Sequence, residues 1–219
     1  DGIVTNDPRL IKTPLYTEHI LNYLRYWMNP DMNFSPTEKT EIDTEIAISN
    51  HDKNLFSNLD DVNNQGIATK LNLKQQLFSK GIQVQSFATI NYIQENFKPI
   101  ERLYNIEFNR DWNLTNPLGN QMLLLGGVQF NSVQKDTVKW KTFGKYQFEK
   151  LVYSTNFSGN KHTFQSFTKN KNLALQTQVS LMDSKNNSST SNFLRSQNVA
   201  KYHFKKNYLG ANFRFENNK

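Results

Sequence analysis

The chain has 219 residues, a formal charge of +7, a pI near 9.4, a mean hydropathy of −0.70, 13% aromatic residues and no cysteine. The missing cysteine excludes disulfide scaffolds, thiol nucleophiles and thiolate metal sites. The basic charge is scattered, its nearest clusters being Lys139, Lys141, Lys145 and the Lys205-Lys206 pair, which reads as solvated strand faces and loop tips rather than a nucleic-acid footprint.

Residues 1–16 carry turn signals and no periodicity. Thr17–Asn29 has the pattern of a helix, with Thr17 as N-cap, Ile20, Leu24, Trp27 and Met28 on one stripe, and Asn29-Pro30 as its stop. Residues 1–39 are therefore read as an N-terminal segment holding helix 17–29, and residues 40–219 as an antiparallel sheet. Asp31–Glu38 reads as loop. Glu41–Ser49 alternates as a first strand, and Ser49–Gly66 is a loop dense in Asn and Asp.

Strand patterns then follow at Ile67–Phe78 and Ile82–Gln94, joined by the short turn Ser79-Lys80-Gly81. Arg102–Leu114, RLYNIEFNRDWNL, divides most cleanly of all. On a strand, Tyr104, Ile106, Phe108, Trp112 and Leu114 would share one face, with Asn105, Glu107, Asn109, Asp111 and Asn113 on the other. Gln121–Asn131 and Val138–Phe148 follow. Leu151–Phe157 and His162–Thr168 are weaker, and Asn172–Met182 is strong. Asp183–Ser191, DSKNNSSTS, reads as an exposed polar loop. Asn192–Gln197 reads as a helical turn or a strand start. Val199–Lys205 and Tyr208–Glu216 close the chain as a hairpin.

The expected fold is all-β: an up-and-down antiparallel meander of about ten strands with one short N-terminal helix. Most strands would run well beyond the ~5–6 residues usual in globular sheets and match the ~9–11 of a membrane barrel. Trp112, Trp140, Phe148 and Phe215 near strand ends would suit aromatic girdles, and the polar residues recurring in every strand would suit a watery lumen. The start at Asp1 without Met and the strand-like end suggest a fragment of a larger domain.

The segments DKNLFSNLDDVNNQG at 52–66, RLYNIEFNRDWNL at 102–114 and YHFKKNYLGANFRFENN at 202–218 give the chain a texture that resembles large outer-membrane β-barrel proteins of Bacteroidota. The resemblance extends over most of residues 40–219 as a style of Asn-rich strands, Tyr-x-Phe strand ends and Lys-Asn turns. It implies an outer-membrane or cell-surface location, a lipid bilayer and the remainder of the same barrel as partners, and no particular cargo.

Chemistry is sparse. Glu107, Asp111, Lys139, Lys141 and Lys145 are the candidate lumen-lining charges. On a strand Glu107 and Asp111 would lie roughly 13 Å apart, too far for a glycosidase pair. Asp52, Asn54, Asp61 and Asn63 offer alternate oxygen ligands in a calcium-like loop. The twelfth position counted from Asp61 is Asn72 rather than glutamate, and Asx-turn chemistry explains the same residues. No cofactor is expected beyond that calcium alternative. His19, His51, His162 and His203 lack metal-ligand spacing. Trp140 alternates with Lys139 and Lys141, so ring and charges face opposite ways and make no nucleic-acid platform. The expected function is a non-enzymatic barrel pore or scaffold. The alternative is a soluble or surface-attached adhesin or glycan-binding sheet.

Overall fold

The computed structural model describes residues 32–51, 63–132 and 140–218. They form one ten-stranded antiparallel sheet in which each strand pairs with the next in sequence. The strands are β1 (Met32–Thr37), β2 (Thr40–Asn50), β3 (Gln65–Phe78), β4 (Ile82–Ile93), β5 (Gln121–Ser132), β6 (Lys141–Tyr153), β7 (Phe157–Lys169), β8 (Leu173–Asn186), β9 (Thr190–Phe204) and β10 (Asn207–Asn218). Among the described residues β1 and β10 are not paired with each other, so the sheet has two edges.

Hairpin geometry is set locally. Gly81, at φ +83°, takes the left-handed conformation that closes β3 onto β4, and Lys205, at φ +53°, does the same between β9 and β10. Asn170 Oδ1 accepts hydrogen bonds from the backbone N–H groups of Asn172 and Leu173, and Asn186 Oδ1 accepts from those of Ser188 and Ser189. These Asx turns explain why Asn recurs at strand ends.

Several expectations are corrected. The largest correction concerns Arg102–Leu114, which is not a strand. It lies within the long connection 94–120 between β4 and β5 and contains one helical turn, α1 (Phe108–Asp111). Tyr104 stacks on Phe108 with ring centroids 4.0 Å apart, and Phe108 meets Trp112 at a tilt of 52° with centroids 6.4 Å apart. A four-residue spacing satisfies helical and strand periods alike, and here the helical one wins. Asn113, at φ +50°, ends the turn.

Other corrections are smaller. Within Asp31–Glu38, Met32–Thr37 forms strand β1 rather than loop. Asp183–Ser191 is mostly strand, because β8 runs to Asn186 and β9 begins at Thr190. Leu151–Phe157 is not an element of its own, since β6 continues to Tyr153 and β7 starts at Phe157. For Asn192–Gln197 the strand alternative holds, within β9. The expected helix 17–29, residues Asp52, Asn54 and Asp61 of the calcium-like loop, and Lys139 lie outside the described residues.

Candidate functional site

Alternation sorts the strands into two faces of opposite character. One carries Ile42, Ile46 and Ile48 of β2, then Leu71, Ile90, Leu124, Phe164, Leu175, Leu181 and Phe213 across the following strands. The other carries Lys70, Asn91, Gln129, Lys145, Lys161, Gln178 and Arg195. In a water-soluble protein the apolar face would be buried. Here the order is inverted. Ser180 is 8% exposed while its neighbour Leu181 is 51% exposed, and Thr163 is 9% exposed while Phe164 is 44% exposed.

The connection 94–120 causes this inversion by lying across the polar face as a strap. Trp112, 1% exposed, packs with Leu123, Leu151, Phe157 and Met182, all from the polar face, and they form an apolar core cluster among the described residues. Two glycines seat the strap. A Cβ on Gly159 would lie 3.2 Å from the Trp112 indole. One on Gly66 would collide with the Phe97 backbone. Trp112 was expected in an aromatic girdle; it is instead the strap's anchor. Trp140, Phe148 and Phe215 keep positions off the strap, with Trp140 exposed just ahead of β6.

Hydrogen bonds tie the strap to the sheet along its length. The Lys98 N–H donates to Ser49 Oγ at 2.9 Å, the Leu118 N–H to Asn156 Oδ1 at 3.1 Å, and the Asn120 N–H to Ser154 Oγ at 2.9 Å. Buried Gln121 joins two phenols. Its Nε2 donates to Tyr104 Oη at 2.7 Å and its Oε1 accepts from Tyr153 Oη at 2.9 Å. Burial pushes the Tyr104 phenol above its ordinary pKa of 10.0, with the hydrogen bonds from Gln121 and Asn91 pulling the other way.

Charges meet where α1 reaches the sheet. Asp111 lies 3.7 Å from Arg195, which lies 3.4 Å from Glu216, and Lys161 is 4.0 Å from Glu149. These pairs are long and partly solvated, so each contributes on the order of 0–1 kcal/mol. Lys161 Nζ also sits 5.5 Å from the Trp112 ring centroid. Between α1 and the sheet lies a recess of about 190 Å³, with Asp111 on one side and Lys145, Glu149, Lys161 and Arg195 on the other.

Of the candidate charges, Asp111 and Lys145 meet in this recess. Glu107 stays on the strap, 2.8 Å from Arg110. Arg110 would be misplaced on the apolar face of a strand, but within α1 it is free to stay in solvent with this partner. Lys141 is exposed at the start of β6, on the polar face but far from the strap. Asn63 is exposed just ahead of β3. Neither Arg195 nor Glu216 stands out in the sequence as a site residue. Only the register of β8, β9 and β10 brings them to Asp111, and nothing in local sequence signals it.

Fold and site together define a class: an antiparallel meander with an exposed apolar face and a strapped polar face. No protein-family model, curated protein or solved structure matches the chain.

Proposed function

We propose that this chain is part of an outer-membrane β-barrel that acts as a pore or scaffold without enzymatic chemistry. Its apolar face meets lipid and its polar face lines a watery interior that the strap partly fills. The inverted burial carries this reading, with serine and threonine covered while the adjoining leucine and phenylalanine stand open. On β8 the apolar positions run from Leu173 to Leu181, roughly 27 Å along the strand and about 20 Å high once tilted, close to a bilayer's apolar band. From β2 to β10 the same face spans roughly 38 Å, and exposed large apolar side chains recur across it from Leu71 to Phe213, interspersed with polar ones such as Ser166, Thr177 and Asn198. The edges of β1 and β10 would pair with the remainder of the same barrel, since an unpaired backbone in hydrocarbon costs several kcal/mol per group.

The test is flotation. The protein, refolded with phospholipid vesicles, is expected to rise with them through a density gradient and to remain bound after an alkaline wash. A folded protein that stays soluble and monodisperse without detergent would overturn the membrane reading.

A further inference from the structure

One register line of the polar face crosses eight strands almost entirely as amides. From β3 to β5 it reads Gln76, Gln85 and Gln129, and from β6 to β10 it reads Lys145, Gln165, Gln178, Gln197 and Arg214. Adjacent strands lie ~4.8 Å apart, so neighbouring side chains on the line are spaced at about that distance. Each amide offers two N–H donors and an accepting oxygen. At one end they satisfy each other, with Gln129 Nε2 donating to Gln85 Oε1 at 2.7 Å. Beyond Lys145 they do not. Among the described residues the amides of Gln165, Gln178 and Gln197 have no side-chain hydrogen bond.

The recess beside α1 opens on this line, and Lys145, Gln165 and Gln178 belong to both. Thr163 also lines the recess. It is 9% exposed, and its buried hydroxyl has no hydrogen-bond partner among the described residues. The charges around the recess nearly cancel, with Lys145, Lys161 and Arg195 against Asp111 and Glu149. A site for a small anion or a metal ion would concentrate one sign. Uncommitted amides, an unpaired buried hydroxyl and balanced charge suit a group that donates and accepts at once, which is the hydroxyl.

We propose that the Gln165–Gln178–Gln197 line and the adjoining recess form a binding track for a neutral polyhydroxylated ligand, a saccharide. The proposal rests on reading this face as a water-filled interior. Amide pairs bridge adjacent hydroxyls, Thr163 and Ser180 supply shorter contacts, and the strap's Asp111 lines the recess beside them.

The test uses the protein in an amine-oxide detergent, which carries no sugar headgroup. Side-chain amide NMR signals of Gln165, Gln178 and Gln197 are followed during titration with glucose, galactose, mannose, N-acetylglucosamine and maltose. Glucuronate and inorganic phosphate serve as anionic comparisons. At least one neutral sugar is expected to shift these signals saturably. Gln165→Leu with Gln178→Leu is expected to weaken that sugar by about ten-fold or more, the loss of one or two hydrogen bonds. Gln178→Leu alone is read where the double variant loses its β-sheet circular dichroism. The track is overturned if no neutral sugar shifts the signals, if only the anions do, or if the leucine variants bind equally well. Flotation separates the two proposals: a protein that floats but ignores sugars loses only the track, and one that binds sugars without floating loses only the barrel.

Discussion

Trp112→Ala is expected to undock residues 105–116 from the sheet while leaving the strand order intact. Trp112 is almost fully buried, and its indole covers Gly159 and lies beneath Lys161. Removing such a side chain costs about 3–5 kcal/mol. What remains near α1 is the partial packing of Tyr104, Phe108 and Leu114, single hydrogen bonds and a loose ion pair, while Phe97, buried against Gly66, still holds the strap's first residues. Hydrogen exchange should show amides of 105–116 losing protection by a factor of a hundred or more, on the order of 3 kcal/mol or above, with β6 to β8 unchanged. Ile106→Ala is the contrast. Ile106 is 79% exposed, and its truncation is expected to change nothing measurable. Equal protection in the Trp112 variant and the parent would mean that the indole does not hold the strap.

Neighbouring positions on β7 give the second large effect. Phe164 is on the apolar face and Gln165 on the polar one. In a bilayer, Phe164→Arg is expected to destabilise the protein by about 2–4 kcal/mol, the cost of a guanidinium near the midplane. Gln165→Arg should stay within about 0.5 kcal/mol, because water and the neighbouring amides solvate the charge. Urea unfolding from vesicles measures both. In a water-soluble sheet the order would reverse or vanish, since Phe164 is open to solvent, and an arginine there would remove apolar exposure.

Most strands were legible because period-two alternation survives wherever one face is apolar. Ile82–Gln94 ends within a residue of β4, and Asn172–Met182 holds the apolar part of β8. Legibility failed where hydrophobicity stopped carrying the signal. Asp183–Ser191 looks like a loop because both faces there are polar. Ser184 goes under the strap, and Asn160 Nδ2 donates to Asp183 on the opposite face at 2.9 Å.

The strap failed for another reason. Tyr104, Phe108 and Trp112 fit both periods, and Ile106, the position that separates them, is apolar yet almost fully exposed. The site was legible only in part, at Asp111 and Lys145. Arg195, Glu216 and the amide line depend on register, in which the hydrophobic pattern fixes only the face and turn length fixes the exact partner.

The direction in which the two faces look is tested most directly on β8. The chain has no cysteine, so single nitroxide labels can be placed at each position from Leu175 to Val179 and at Leu181 in vesicle-bound protein. Collisions with lipid-soluble oxygen and with a water-soluble nickel chelate are then compared. Leu175, Thr177, Val179 and Leu181 should favour oxygen, and Gln176 and Gln178 the chelate, in strict alternation. The opposite phase, or no difference between lipid-bound and lipid-free protein, would contradict an apolar face turned to hydrocarbon.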